Sequence, residues 1–168
     1  MKTALRIAVA GLGTVGAGVL KVLETHADLL EMRCGRRIVV TAVSARTRGR
    51  DRGVDLSAVR WYEDAVALAS DPDVDVVVEL IGGSEGVARD VVATALENGK
   101  HVVTANKALL AHHGNELSAL AERKGVALAL EAAVAGGIPV IKGLREGLAA
   151  NSIKEVHGIL NGTCNYIL

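Results

Sequence analysis

Short apolar runs alternate along the chain with longer segments in which apolar residues recur every three or four positions. The run at residues 5–10 predicts a buried strand, whereas Val87, Val91, Val92 and Leu96 share one face of a predicted helix. Strands are predicted at residues 5–10, 36–44, 74–81, 101–104, 125–130 and 152–160, and helices at residues 14–30, 63–70, 84–98, 106–110, 114–124 and 139–149, with a loop at residues 49–62. Such alternation predicts an α/β fold with a parallel sheet and right-handed crossovers.

A glycine-rich turn follows the first predicted strand with no spacer and leads directly into a helix. The turn consists of Gly11, Leu12, Gly13, Thr14, Val15 and Gly16. In this context Gly11 permits a tight turn, Gly13 lets the backbone approach a pyrophosphate, and Gly16 lets helix and strand pack closely. The helix N-terminus attracts the anion. The order therefore predicts the dinucleotide site of a Rossmann-type doubly wound sheet, with a purely structural turn as the alternative.

The end of the second predicted strand indicates which dinucleotide is bound. No carboxylate follows residues 36–44, where NAD-binding sheets present an acid to the ribose, but Arg46 and Arg48 do. Guanidinium groups bind a 2′-phosphate through charge-assisted hydrogen bonds. We therefore predict NADP rather than NAD. In the alternative interpretation, the whole basic cluster, which includes Arg50 and Arg52, is a solvated loop.

Two later segments also follow predicted strands, at the edge where doubly wound sheets bind ligands. Gly82 and Gly83 indicate a second close approach of backbone to cofactor, or else a plain turn. Thr104 and Asn106 are further predicted cofactor contacts, and Asn106 is a suitable helix N-cap. Lys107 would then lie at the positive end of a helix dipole, which costs a few tenths to ~1 kcal/mol. That conflict makes Lys107 a candidate functional residue, with a surface lysine as the alternative.

Composition limits the remaining possibilities. The chain has 168 residues, with 19 basic and 19 acidic side chains, so its zero net charge does not favour nucleic acid or anionic membrane as a partner. Cys34 and Cys164 share no motif and fit reduced thiols. The sequence shows neither the pattern of a signal peptide nor a long apolar span, so we expect a soluble, cytoplasmic protein. We predict a nucleotide-binding domain at 1–135 and the start of an α+β substrate and dimerisation domain at 136–168.

Five segments together resemble homoserine dehydrogenases. They are residues 11–16, 79–83, 103–111, 131–141 and 158–168. The resemblance implies NAD(P)H-dependent interconversion of aspartate 4-semialdehyde and homoserine, on the route to threonine and methionine. It also implies that Lys107 is the active-site lysine, acting in proton transfer or polarising the carbonyl. Gly162 and Thr163 match positions near the substrate.

The segment at 132–139 is small, uncharged and built around paired glycines, so its carbonyls need partners. The resemblance implies a Na⁺ or K⁺ site made by Glu131 and the carbonyls of Val134, Gly136 and Ile138. It also implies a longer, homodimeric enzyme, so we expect this chain to bind cofactor with little or no turnover. The alternatives are a non-catalytic NAD(P)H-sensing module, which would not need Lys107, and an acylating semialdehyde dehydrogenase, which would need an activated cysteine.

Overall fold

The computed structural model describes residues 4–158 and contains one six-stranded sheet. The strands are β1 (Leu5–Ala10), β2 (Ile38–Ser44), β3 (Arg60–Tyr62), β4 (Val76–Glu79), β5 (His101–Thr104) and β6 (Leu128–Ala129). They lie in the order β3-β2-β1-β4-β5-β6, and every neighbouring pair is parallel. The predicted α/β class and parallel sheet are confirmed.

One loop prediction and one strand prediction differ from the structure. The predicted loop at 49–62 ends in β3, which pairs with β2 from Ala42↔Arg60 to Ser44↔Tyr62. A strand of three residues is too short to show a period of two, so its sequence carried no signal. The predicted strand at 152–160 is absent from its described part, residues 152–158, which form no regular element.

The helices differ from prediction mainly in where they break. They are α1 (Thr14–Thr25), α2 (Ala27–Cys34), α3 (Ala65–Ala69), α4 (Val87–Glu97), α5 (Lys107–Lys124) and α6 (Val140–Lys142), and a π-helical turn at Gly143–Gly147 follows α6. The single helix predicted at 14–30 is broken at His26, whose φ of −112° and ψ of 23° are not helical. Conversely, the two pieces predicted at 106–124 form one helix, α5. The N-cap of α4 is Gly86 rather than Ser84.

The sheet is covered on both faces, because alternate residues of β1 point into different hydrophobic clusters. Ala8 and Ala10 belong to the cluster that contains the helices α3, α4 and α5, where the small side chains let the helices pack closely. Ile7 and Val9 belong to the cluster that contains Leu20 of α1. No described residue from 129 to 158 is buried, so this stretch adds little to either cluster.

The strand order places a topological switch point between β1 and β4. After β1 the chain enters α1, on one face of the sheet, and after β4 it enters α4, on the other. Ligands of doubly wound sheets bind at the carboxyl ends of the strands at this point. Among residues 4–158, no helix combines the length and apolar character that crossing a bilayer requires.

Candidate nucleotide-binding site

The glycine turn lies at the switch point, and two of its glycines are required by packing. Gly11 has a φ of +104°, and a Cβ there would lie 2.5 Å from the carbonyl oxygen of Leu80. A Cβ on Gly16 would lie 2.0 Å from the carbonyl oxygen of Gly11, because α1 packs directly on the turn. Around Gly13 nothing lies within 4 Å of the Cβ position. The backbone is therefore open to a ligand at the middle glycine.

The N-terminus of α1 points its backbone amides into this open space. Its N-cap is Gly13, which offers no side-chain cap, and no acidic residue occupies the first turn. Val15, in that first turn, is 58% exposed. Uncapped amides and the helix dipole together favour an anion such as a pyrophosphate.

A cleft of about 540 Å³ lies between the glycine turn and the ends of β2 and β4. Arg46 lines it, together with Arg50 and Arg52, and these three arginines outnumber the two carboxylates in the lining, Glu63 and Asp64. Arg48 does not line it, and its guanidinium carbon lies 6.0 Å from the centre of the Trp61 ring. The structure thus brings Arg46, but not Arg48, to the glycine turn.

Arg52 holds the basic loop against the glycine turn, a contact that sequence reasoning missed. Its side chain donates to the carbonyl oxygens of Leu12 (3.0 Å), Arg50 (2.7 Å) and Thr47 (2.5 Å). Its guanidinium also lies 5.5 Å from the centre of the Trp61 ring. The fold brings these backbone carbonyls together. The spacing of the arginines in the sequence therefore could not predict which oxygens accept from Arg52.

A second, smaller cavity of about 160 Å³ lies on the other side of the glycine turn, lined by Val15, Gly82 and Asn106 among others. Gly82 and Gly83 have φ values of +85° and +84°, which favour glycine at both positions. Asn106 Nδ2 donates to the carbonyl oxygen of Gly83 at 2.6 Å. This bond joins the turn after β4 to the turn after β5.

Lys107 is the first residue of α5, is exposed, and directly follows Asn106, which lines this cavity. Asn106 caps the helix as predicted, because its Oδ1 accepts from the backbone N–H of Leu109 at 3.1 Å. None of the ion pairs among the described residues involves Lys107. An amine at the positive end of a helix, with no local anion, suits a ligand oxygen.

A buried polar cluster, Glu79, Thr104 and Asn106, lies beneath the smaller cavity. Thr104 Oγ1 donates to Glu79 Oε2 at 2.6 Å, and Glu79 is fully buried at the end of β4. Sequence reasoning assigned no function to Glu79. The available signal was a single acidic residue at the end of an apolar strand, which implies a carboxylate with hydrogen-bond partners inside the fold.

The proposed ligands in the predicted cation loop differ in the hydrogen bonds that they already accept. Within the described chain, the carbonyls of Val134 and Gly136 accept no hydrogen bond, whereas that of Ile138 accepts from Val140 N at 2.8 Å. Ala135 has a φ of +58°, unusual for a residue other than glycine, which indicates local strain. The Glu131 carboxylate accepts from the backbone N–H groups of Ile141 (3.1 Å) and Lys142 (2.9 Å).

Three other predictions can be placed briefly. Gly162, Thr163 and Cys164 lie outside the described residues. Cys34 is a free, exposed cysteine. Within residues 4–158, no group of three or more His, Cys, Asp or Glu side chains is arranged to hold a metal ion.

Comparison with protein families gives two adjacent matches. A family model described as the NAD binding domain of homoserine dehydrogenase matches residues 11–131. A second, described as homoserine dehydrogenase, matches residues 139–168.

The similar proteins and structures carry the same name. The homoserine dehydrogenases of Pseudomonas aeruginosa and Neisseria gonorrhoeae are 52% and 51% identical over 98% of this chain, which covers 37% of each. The crystal structure of a homoserine dehydrogenase from Thiobacillus denitrificans matches 88% of this chain and 34% of its own, with a TM-score of 0.81 and 47% identity. A hyperthermophilic archaeal homoserine dehydrogenase in complex with NADPH shares the fold, with a TM-score of 0.71 at 24% identity. The chain thus spans little more than a third of the length of its curated relatives.

Proposed function

Because the chain belongs to the homoserine dehydrogenase family, we propose that it is the nucleotide-binding part of an enzyme that reduces L-aspartate 4-semialdehyde to L-homoserine, reversibly. The observation that carries the proposal is Lys107, an exposed residue at the start of α5 that directly follows Asn106, which lines the smaller cavity at the switch point. A module that only senses NAD(P)H would not need this amine. The complete enzyme is proposed to be a cytoplasmic homodimer that serves threonine and methionine synthesis.

The cofactor is proposed to be NADP, with NAD as the alternative. The larger cleft fits the adenosine half, because Arg46 lines it and no acidic residue follows β2 before Asp51. The glycine turn and the N-terminus of α1 would hold the pyrophosphate. The smaller cavity, with Gly82 and Asn106, would take the nicotinamide half. When bound, the nicotinamide supplies the hydride.

Lys107 would then act on the substrate oxygen. A protonated amine near the carbonyl oxygen stabilises the negative charge that develops there during hydride transfer, and it can donate a proton. Lys107 lies in the first turn of a long helix, and the Asn106 cap fixes the start of that helix. The backbone from which the amine extends therefore has a defined position. The substrate contacts at Gly162 and Thr163 also belong to this proposal.

A monovalent cation, Na⁺ or K⁺, is proposed at the 131–138 loop. The carbonyls of Val134 and Gly136, which accept no hydrogen bond from any residue that the structure describes, are suitable hard ligands. Both oxygens of Glu131 already accept backbone N–H groups, yet each keeps a lone pair for a cation.

The function is tested by Lys107→Ala in a complete enzyme, in which this chain is followed by the remainder of the Pseudomonas aeruginosa relative. Loss of general acid catalysis predicts a fall in kcat of about 100-fold or more, with NADPH affinity changed less than about twofold. Lys124→Ala, at the far end of the same helix, is the matched control and should leave kcat unchanged. Near-normal turnover of Lys107→Ala would refute the proposal.

A further inference from the structure

The most deeply buried acidic side chain lies at the switch point itself. Glu79 has 0% exposure and pairs in the sheet register with Ala10 of β1 and with Thr104 of β5. A buried ionised carboxylate is strongly unfavourable unless hydrogen bonds replace its water. Its partners therefore indicate what the residue is for.

All the partners of Glu79 among residues 4–158 are donors. Oε1 accepts from the backbone N–H groups of Ile81 (2.8 Å) and Gly82 (3.2 Å) and lies 3.5 Å from Asn106 Nδ2. Oε2 accepts from Thr104 Oγ1, as described above. Since Thr104 Oγ1 itself accepts from the backbone N–H of Asn106 at 3.0 Å, the hydroxyl proton is directed to Glu79. An ionised carboxylate satisfies every one of these contacts, because it is an acceptor only.

These hydrogen bonds join two loops that come from different strands. Ile81 and Gly82 follow β4, whereas Thr104 and Asn106 end β5 and begin α5. Asn106 closes the arrangement, since it caps α5 and binds the carbonyl of Gly83. Moving the carboxylate would therefore move the Gly82–Gly83 turn relative to the first turn of α5.

We propose that Glu79 is a positioning residue that, through Thr104 and Asn106, fixes the nicotinamide half of the cofactor relative to Lys107. The inference rests on the proposed function, because it takes NADPH as the ligand. Of the residues that bind Glu79, Ile81, Gly82 and Asn106 line the smaller cavity, and only Ile81 also lines the larger cleft, where Arg46 lies. The adenosine half should therefore depend on Glu79 much less than the nicotinamide half does.

Calorimetric titration of the wild type and of Glu79→Gln with NADPH and with adenosine 2′,5′-bisphosphate tests this separation. Glutamine keeps the shape but turns an NH₂ group toward donors, so we expect the Kd for NADPH to rise about tenfold or more. The bisphosphate, which lacks the nicotinamide half, should keep its Kd within about twofold. Equal weakening of both ligands, or weakening of neither, would overturn the proposal.

Asp71→Asn is the matched control for losing a buried carboxylate. Asp71 is 4% exposed and accepts from the Tyr62 hydroxyl at 2.8 Å. Asp71 lies at the opposite end of the strands from Glu79. There its backbone carbonyl oxygen accepts from Lys100, a buried residue just before β5. This variant should lower stability while leaving the ratio of the two affinities unchanged.

A second pair of variants covers the case in which Glu79→Gln does not fold. Thr104→Val removes the hydroxyl donor and keeps the shape, whereas Thr104→Ser retains the donor. We expect the valine variant to lose NADPH affinity selectively and the serine variant to retain it. Equal behaviour of the two would contradict the proposal.

Hydrogen exchange separates this inference from the cofactor assignment. The amides of Ile81 and Gly82 should exchange faster in Glu79→Gln than in the wild type, whatever the ligand, because an amide oxygen is a weaker acceptor than a carboxylate oxygen. A wild-type chain that binds neither probe would refute the proposed function, whereas unchanged exchange would refute the positioning by Glu79.

Discussion

Arg46 and Arg48 are two residues apart in one loop, yet they have different surroundings. Arg46 lines the larger cleft, whereas the guanidinium of Arg48 lies over Trp61. If Arg46 binds the 2′-phosphate, its contribution is that of a hydrogen bond between charged groups, about 1.5–3 kcal/mol. Arg46 should then contribute strongly to the discrimination between NADPH and NADH.

Arg46→Ala should therefore raise the Kd for NADPH by about tenfold or more and leave that for NADH unchanged. Calorimetry is the suitable measurement, since Trp61 fluorescence would respond to changes in the arginine loop itself. Arg33→Ala, an exposed arginine in α2, is the control. Equal affinities of the wild type for the two cofactors would remove the basis for NADP.

At the scale of single residues, the sequence predicted which residues meet a local backbone requirement better than it predicted which residues they contact. Residues 11–16 and the Asn106 cap were predictable, because local backbone requirements select glycine in a tight turn and a short polar side chain at an N-cap. The contacts of Arg52 and Glu79 were not, since they join residues up to 40 positions apart. Such partners follow from the fold, and no local pattern encodes them.

At the scale of elements, neighbouring strands are joined by polar contacts as well as by the ladder. Arg6 of β1 donates from its backbone N–H and from its guanidinium Nε to Asp75 Oδ2 (2.8 and 3.2 Å), and a second guanidinium nitrogen donates to Oδ1 at 2.8 Å. Asp75 immediately precedes β4. These hydrogen bonds from Arg6 hold the pKa of Asp75 below its usual value.

The lowered pKa of Asp75 predicts a pH dependence of stability. A carboxylate with a lowered pKa in the folded state stabilises the fold above the unfolded pKa, about 4, and this contribution is lost as the pH falls through the folded pKa. Asp75→Asn should therefore be less stable than the wild type at pH 7 and should lose less stability on acidification below about pH 4. Chemical unfolding at several pH values measures this.

Asp28→Asn is the control for that comparison. The side chain of Asp28 is 98% exposed, so its replacement should leave the acid limb of the stability curve unchanged. Parallel curves for the wild type and Asp75→Asn would contradict the assigned contribution of Asp75.

Element boundaries were the least predictable part of the fold. Residues 14–34 form two helices separated at His26, whereas α5 is continuous. Both segments show the apolar spacing of a helix, so this spacing alone does not predict where a helix breaks. The strand β3 forms because β2 offers an unpaired edge, a condition that belongs to the sheet and not to the three residues of β3.

At the scale of the whole molecule, the alternation of strands and helices was enough to predict the parallel sheet. The same alternation, with a glycine turn directly after the first strand, identified the edge at which a dinucleotide would bind. Both cavities and Lys107 lie at that edge. The proposed division of the site into an adenosine side and a nicotinamide side required the coordinates, because it depends on which loops face each other.

A crystal structure of this chain with NADPH is the most direct test of the account. We predict that the pyrophosphate lies over residues 11–16 at the N-terminus of α1, with the 2′-phosphate at Arg46 and the nicotinamide ring facing the amine of Lys107. A pyrophosphate bound elsewhere would contradict the nucleotide site, and a nicotinamide ring turned away from Lys107 would contradict its part in the reaction.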